Sequence, residues 1–180
     1  MSYIAGGCRT TPKMTGSRRM ALRELGLRIS ARGISALQQW RDEGALLLDA
    51  PYQRGHVWGP TRRVNLIRSL LMGIPIAALV INDRHTAGWA ADVNMAVIDG
   101  KQRITTILMF LDDKLAVPGD WVDVPDTAVV YSQFPRGRQL DFRRSTLAVA
   151  HATMPDVDSE RLVFELINFG GVPQGVSDGD

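Results

Sequence analysis

The residue types best suited to chemistry in this sequence form the segment DGKQR. In chain order they are Asp99, Gly100, Lys101, Gln102 and Arg103. Asp-Gly is a common turn dipeptide, and a helix that starts directly after it presents backbone N–H groups and the positive end of its dipole at the same place. Together with the two cations, these donors suit a phosphate-like anion. The segment therefore predicts a phosphate-binding helix N-terminus.

The side chains of this segment also suit catalysis on a bound phosphate. Arg103 is a forked donor that can hold phosphate with two hydrogen bonds, and Asp99, at the end of a strand, can hold Mg²⁺ or position a water molecule. With Gln102 supporting that water, we predict Asp99, Gln102 and Arg103 as catalytic residues. Gly100 and Lys101 are predicted to bind phosphate. The plainer interpretation, a structural turn with ordinary surface charges, stays open.

A second cluster of hydrogen-bonding side chains lies earlier in the chain, within PYQRGHVW. Tyr52 offers a ring and a hydroxyl to a base or sugar, Gln53 offers a two-sided amide, and Arg54 offers a second fork. Three such residues in a row have little packing reason to lie in a loop, so we predict that they bind nucleotide. Trp58, in the same loop, is predicted to be a core residue rather than a ligand.

The elements that must position these loops follow from hydrophobic spacing and turn residues. Strands are predicted at residues 45–49, 76–82, 93–98, 128–131 and 146–152. Helices are predicted at residues 35–43, 61–72 and 101–111, and a last helix is predicted between about 156 and 170. The first helix is expected to start with a capping box formed by Ser35 and Gln38. The apolar side of the last helix is expected to comprise Leu162, Val163, Leu166, Ile167 and Phe169.

Composition limits the class of protein. The chain has 180 residues, of which 45% are hydrophobic and 22% charged, as is typical of one soluble globular domain. The longest apolar run, residues 74–81, is too short to span a membrane, so no membrane partner is expected. The single Cys8 excludes an internal disulfide framework, which favours the cytoplasm. Because His56, His85 and His151 stand alone, no zinc is expected, and no haem or flavin either.

Positive charge is concentrated at the N-terminus. Residues 1–32 contain seven basic residues and one acidic residue, although the net charge of the whole chain is only +2. We predict that residues 1–28 form a basic, flexible arm that contacts nucleic acid, because Lys and Arg displace counterions from phosphates. The predicted contacts are Arg18, Arg19, Arg23 and Arg28. A solvated terminus without a partner is the alternative.

Four segments in a fixed order carry a family resemblance. They are PYQRGHVW, LIRSLLMGIPI, VIDGKQRITTIL and VFELINFGGVPQ. Over residues 30–178 the chain resembles the N-terminal domain of GmrSD-type restriction systems, the DGQQR-motif family, within the wider ParB/sulfiredoxin-like fold. The resemblance implies one compact α/β (α+β) domain over residues 29–180, with a small mixed sheet and flanking helices. It also implies that the YQR loop and the DGQQR helix face one nucleotide cleft, and that Asn168 contacts the nucleotide.

Two positions depart from the family pattern. Lys101 replaces the first Gln of DGQQR, which adds charge at the predicted phosphate site. Leu166 stands where many members have Arg, which leaves one phosphate contact unfilled. Members of the family usually continue into a His-Asn-His nuclease domain, and we expect no self-contained nuclease of that kind in this chain.

These observations together predict a function in DNA handling. The first hypothesis is an NTP-binding and NTP-hydrolysing domain that uses Mg²⁺ and acts in restriction, defence or counter-defence in the cytoplasm of a bacterial or phage-infected cell. Its expected partners are nucleotide, DNA and a separate nuclease or effector subunit. The alternative is a ParB-like DNA-binding module without hydrolysis. A ParB-like nuclease is favoured least, since Asp99 lacks a second acid at a matching spacing.

Overall fold

The computed structural model describes residues 27–53, 58–89, 94–124 and 127–169. Within these ranges the strands are β1 (Arg28–Gly33), β2 (Leu46–Leu47), β3 (Leu79–Asp83), β4 (Met95–Asp99), β5 (Val117–Pro118), β6 (Ala128–Val129) and β7 (Thr146–Ala152). The α-helices are α1 (Ile34–Asp42), α2 (Pro60–Leu71), α3 (Lys101–Leu111), α4 (Arg136–Arg144) and α5 (Val157–Phe169). Two short 3-10 turns cover Gly119–Val122 and Tyr131–Gln133.

The main sheet is mixed and has the strand order β1-β7-β3-β4-β2, while β5 and β6 form a separate antiparallel pair. β3 and β4 are antiparallel, with Val80 opposite Asp99 and Asp83 opposite Met95. β2 is parallel to β4, so both strands end at the same edge of the sheet. Asp99 is the last residue of β4 and therefore lies at that edge.

Both faces of the sheet are covered, because side chains alternate between them. On one face Ile81 and Val97 are fully buried in a core shared with α1 to α4. On the other face Ala96 and Ile98 are fully buried and pack in a second cluster with Val163 of α5. The predicted α+β class with a small mixed sheet is confirmed. None of the helices in the described ranges has the length and apolar character needed to cross a bilayer.

An aromatic cluster fixes the inner part of α3. The ring of Phe110 makes edge-to-face contacts with Tyr131, Phe134 and Phe142, at centroid distances of 5.6, 5.4 and 5.0 Å. Such contacts add to the burial of each ring, and Phe110 itself is fully buried. The C-terminal half of α3 is thereby anchored in the core, and its N-terminus lies at the edge of the sheet where β4 ends.

Most of the predicted elements are confirmed. β7 has the predicted bounds, α3 begins directly after the Asp-Gly turn, and α2 begins at Pro60 and is followed by Gly73 with φ +71°. The strand predicted at residues 45–49 is shorter, because in the described sheet β2 pairs with β4 alone and over two residues. The strand predicted at 76–82 begins later, at Leu79, where pairing with β7 begins.

The predicted capping box of α1 is wrong. Gly33 occupies the N-cap position, and no side chain caps the helix. The start of α1 is set instead by β1, which pairs with β7 and leads directly into the helix, while the Ile34 N–H donates to the Ser145 carbonyl at 3.1 Å. β1 itself and α4 were not predicted from the sequence.

The predicted apolar side of α5 is also wrong in part. Val163 is buried, but the side chains of Leu162, Leu166 and Ile167 are 42%, 52% and 43% exposed. The sheet covers only one side of α5, and that side carries Val163 together with the fully buried, polar Glu160. The hydrophobic spacing therefore predicted more buried side chains on α5 than one face of the sheet can cover.

Candidate functional site

The turn between β4 and α3 is shaped by a glycine. Gly100 has φ +104°, a left-handed conformation that favours glycine, and a Cβ atom there would lie 2.4 Å from Leu79 Cδ2. The Gly100 carbonyl accepts the first helical hydrogen bond, from the Ile104 N–H at 2.9 Å, and Gly100, at the N-cap position, has no side chain with which to cap the helix. In the described part of the chain, α3 therefore begins without a capping side chain at its N-cap position.

Asp99 and Arg103 form an ion pair across this turn. Arg103 Nη2 lies 2.5 Å from Asp99 Oδ2, and Arg103 Nη1 donates to the Ala77 carbonyl. The side chain of Arg103 is 12% exposed and that of Asp99 is 26% exposed, so solvent reaches the carboxylate. The structure thus brings together two of the three predicted catalytic residues, and it pairs them with each other.

Lys101 is paired as well. Its Nζ lies 2.6 Å from Asp49 Oδ1, in the segment that follows β2. Because β2 and β4 are parallel neighbours, the residues after β2 emerge beside the β4–α3 turn. The Asp49 side chain is 87% exposed, so this contact is a surface ion pair that contributes little to stability.

The loop after β2 is attached to the same turn. Gln53 Nε2 donates to the Val97 carbonyl and, at 3.1 Å, to the Ile98 carbonyl, which joins the loop to the last residues of β4. Gln102 Oε1 accepts a hydrogen bond from the Trp58 N–H at 3.3 Å. The two predicted segments are therefore adjacent. Arg54 lies outside the residues that the structure describes.

Tyr52 points toward α5. Its ring lies 5.5 Å from the ring of Phe164, and its hydroxyl donates to Glu160 Oε2 at 3.1 Å. Burial, together with the negative charge of Glu160, raises the pKa of Tyr52 above its usual value of 10.0. The hydroxyl predicted to contact a base or sugar thus has a partner inside the protein.

A buried polar network that was not predicted from the sequence surrounds Glu160. Glu160 is fully buried and accepts hydrogen bonds from Asn82 Nδ2 at 2.8 Å, Arg84 Nε at 2.8 Å and Arg84 Nη2 at 2.7 Å. The hydrogen bonds to Glu160 raise the pKa of Arg84. Trp89 lies over the Arg84 guanidinium at 4.0 Å, and its Nε1 donates to the Met154 carbonyl at 2.7 Å. Glu160 lies more than 70 positions after Asn82 and Arg84 in the chain, so no spacing rule connects it with them.

The remaining predicted residues lie outside the turn. Asn168 Nδ2 donates to the Phe164 carbonyl within α5 at 2.8 Å, and the residue is exposed. Arg28 begins β1, an edge strand of the sheet, where it is exposed opposite His151 of β7. Arg18, Arg19 and Arg23 lie outside the described residues.

The donor set for a metal ion is small. Across the described ranges, no group of three or more His, Cys, Asp or Glu side chains is arranged to hold a metal. Asp99 supplies one carboxylate at the turn. One carboxylate fits Mg²⁺ held jointly by the protein, by phosphate oxygens and by water, which is the usual arrangement at nucleotide sites. It does not fit a metal bound by the protein alone.

A comparison with known families identifies the chain. Residues 37–151, well over half of the chain, match the family described as GmrSD restriction endonuclease, N-terminal domain. The chain therefore belongs to that family, as the resemblance predicted, and the family links it to restriction systems. No curated protein and no solved structure gave a significant match.

Proposed function

We propose that this domain binds the phosphates of a nucleoside triphosphate at the β4–α3 turn and hydrolyses the nucleotide in the service of DNA restriction. The observation that carries the proposal is the Asp99–Arg103 ion pair beside the start of α3, where Gly100 occupies the N-cap position. A glycine turn, a helix N-terminus, an arginine and an acid meet there within one short segment. Membership of a restriction endonuclease family supports the connection to DNA.

The ion pair defines how phosphate would bind. Arg103 is kept in place by the Ala77 carbonyl as well as by Asp99, so its guanidinium stays oriented when one partner is replaced. A phosphate oxygen can replace the Asp99 carboxylate as the partner of Arg103. In that position it also faces the backbone N–H groups at the start of α3. Among the described residues, Lys101 is paired with the exposed Asp49 carboxylate, so it can turn toward the phosphate at small cost.

Displaced from Arg103, the Asp99 carboxylate becomes an exposed anion next to phosphate. Asp99 is the residue that would hold Mg²⁺ at this turn, and the metal, when bound, would supply positive charge that offsets this repulsion. Nucleotide binding is therefore expected to depend on Mg²⁺. In hydrolysis, water attacks the terminal phosphorus and the bond to the leaving diphosphate breaks. We assign Asp99 to orient this water and Arg103 to stabilise the charge of the transition state.

The loop between β2 and α2 is attached to the site through Gln102, Gln53 and Trp58. Trp58 packs against the core, and its N–H is bonded to Gln102, so the loop after residue 57 is attached to α3. Gln53 attaches the loop before residue 54 to β4. The proposed role of Gln53 is thus to position the loop, and that of Gln102 is to link the loop to the phosphate site.

The test is a titration of the full chain with each of the four NTPs, with Mg²⁺ and with EDTA, followed by measurement of phosphate release. Arg103→Met is expected to weaken Mg-NTP binding at least about tenfold, since it removes a charged hydrogen-bond donor. Arg41→Met is the matched control, because Arg41 forms a similar pair with Asp112 at 2.7 Å, at the opposite end of α3. Nucleotide binding by this control should equal that of the wild type.

A second variant separates binding from hydrolysis. Asp99→Asn frees Arg103 from its carboxylate, so binding of NTP in EDTA should become tighter while the benefit of Mg²⁺ disappears. Phosphate release by Asp99→Asn should fall to background. Wild-type protein that binds no NTP in Mg²⁺, or Arg103→Met that binds as the wild type does, would overturn the proposal. Tight binding with no phosphate release by any form would restrict the site to binding.

A further inference from the structure

A second cationic site lies away from the β4–α3 turn. Three side chains from separate elements line one cavity of about 240 Å³: Arg68 of α2, Trp121 of the 3-10 turn at Gly119–Val122, and Arg138 of α4. Among the described residues, the other lining side chains are apolar and belong to Leu71, Met72 and Val122. None of these residues takes part in the site proposed for NTP.

Trp121 is presented by a rigid turn. The Gly119 N–H donates to the Thr127 carbonyl at 2.8 Å, and the Gly119 carbonyl accepts from the Val124 N–H at 3.0 Å. A Cβ atom on Gly119 would lie 2.1 Å from the Val124 carbonyl oxygen, so the turn is closed tightly on itself. The side chain of Val122 is buried and anchors the turn in the core. The indole of Trp121 is partly buried and packs against the same core.

The two arginines of the cavity carry charge that the described part of the protein does not neutralise. Both are exposed, and neither forms a salt bridge with a described acid, whereas Arg84 and Arg103 are each paired with a carboxylate. The Arg68 guanidinium lies 5.8 Å from the centre of the Trp121 ring. Asp120 and Asp123 flank Trp121 in sequence but do not line the cavity.

We propose that this cavity binds one unpaired nucleotide of a single-stranded DNA segment. A flat aromatic ring beside two unpaired guanidinium groups matches the chemistry of a base and its adjacent phosphates. Met72, with 64% of its side chain exposed, adds a flexible apolar contact to the edge of the base. Its volume of about 240 Å³ is below that of pockets that enclose whole drug-sized ligands, which fits a single base.

The experiment measures binding of fluorescein-labelled oligonucleotides of about 20 residues, a length that exceeds the site size of typical single-strand binding modules. Four probes are titrated into the full chain: single-stranded DNA, the same sequence as a duplex, single-stranded RNA, and a mononucleotide. The variants are Arg68→Ala, Arg138→Ala, Trp121→Leu and Trp121→Phe. Arg144→Ala is the matched control, because it removes one positive charge from α4 outside the cavity. Thermal unfolding of each variant verifies that it folds.

Single-stranded DNA is expected to bind more tightly than duplex. Trp121→Leu should weaken this binding about tenfold or more, and Trp121→Phe should restore most of it, because a phenyl ring retains stacking. Arg68→Ala and Arg138→Ala should each lower the slope of log affinity against log salt by about 0.7. Arg144→Ala should leave single-strand affinity within about twofold of the wild type, which is the change that one remote charge makes.

Several outcomes would overturn the proposal. They are the absence of DNA binding, a preference for duplex, equal affinity of Trp121→Leu and Trp121→Phe when both are folded, and equal losses in Arg68→Ala and Arg144→Ala. Tighter binding of RNA than DNA would overturn the assignment to DNA. Because Arg103→Met and Asp99→Asn test the NTP site separately, failure of either proposal leaves the other measurable.

Discussion

The β3–β4 hairpin pairs an arginine with a carboxylate at each of its ends, and the two pairs differ in how far solvent reaches them. At one end Glu160 is 0% exposed and its two oxygens accept hydrogen bonds from Arg84, Asn82 and Tyr52. At the other end the Asp99 carboxylate is 26% exposed and is bonded to Arg103. The same two chemical groups thus occur in one buried pair and in one partly open pair.

The difference in solvent exposure determines whether a ligand can replace one partner of the ion pair. A buried pair with every oxygen bonded has no room for a competing ligand, and breaking it leaves an uncompensated charge in the core. A partly open pair keeps both groups oriented and lets an anion or a cation replace one of them. The Arg84–Glu160 pair therefore attaches α5 to β3, whereas the Asp99–Arg103 pair suits exchange with phosphate. Four predictions test this comparison, in order of decreasing effect on stability.

Replacing Glu160 by Gln should have the largest effect. The amide has the shape of the carboxylate but presents an NH₂ group to the Arg84 donors and leaves that guanidinium buried without a counter-charge. We expect a loss of about 3 to 5 kcal/mol in the free energy of unfolding, measured by urea denaturation. Asp99→Asn, the matching change at the open end, should cost about 1 kcal/mol or less. Equal losses in the two variants would contradict the comparison.

Gly100→Ala tests the backbone of the open end. The added Cβ would have to displace Leu79 Cδ2, at 2.4 Å, and alanine must also adopt φ +104°. Strain and overpacking together should cost about 2 to 3 kcal/mol. Gly73→Ala is the control, because Gly73 has φ +71° with nothing within 4 Å, so only the conformational cost of about 1 kcal/mol applies. Urea denaturation of both variants should give this order, and the reverse order would show that Leu79 does not restrict the turn.

Tyr52→Phe tests the pH dependence of the buried end. At pH 7 the loss of one hydrogen bond to Glu160 should cost about 1 kcal/mol. The raised pKa means that folded Tyr52 keeps its proton at pH values where the unfolded chain loses it. Stability should therefore fall as the pH rises above about 10, by up to about 1.4 kcal/mol per pH unit, and this fall should be smaller in Tyr52→Phe. Parallel curves for wild type and variant between pH 9 and about 11 would show that Tyr52 is not protected.

Arg103→Met is expected to have the smallest effect on stability and a large effect on ligand binding. A partly exposed ion pair contributes about 1 kcal/mol or less, and the methionine stem retains the packing of the arginine chain. Thermal unfolding should therefore change little, while affinity for Mg-NTP falls. Arg84→Met should show the opposite pattern: a large loss of stability, with unchanged affinity in the protein that remains folded. If Arg103→Met and Arg84→Met changed stability and Mg-NTP affinity in the same way, the proposed difference between the two ion pairs would be contradicted.

Much of the fold could be predicted from local patterns. The apolar spacing in α2 and α3 and the alternation in β7 identified those elements, because each buries one regular face. α4 was missed since its sequence, RGRQLDFRR, is highly polar and buries only Phe142. β1 was missed because an edge strand with mostly exposed side chains has no strong alternation, and its pairing with β7 joins residues far apart in the chain.

The sequence by itself determined the chemistry of the β4–α3 turn. DGKQR placed a left-handed glycine, an acid and two cations at a helix N-terminus, and these residue types act through contacts within a few positions. Only the tertiary structure decided the state of those charges: Asp99 is paired with Arg103, and Lys101 with Asp49. It also decided that Tyr52 belongs to the buried Glu160 network and that Arg68, Trp121 and Arg138 meet at one cavity. The ion pairs and the Glu160 network depend on how β2, β3, β4 and α5 pack, and the cavity depends on how α2, α4 and the Gly119–Val122 turn pack. Packing joins residues that no local spacing connects.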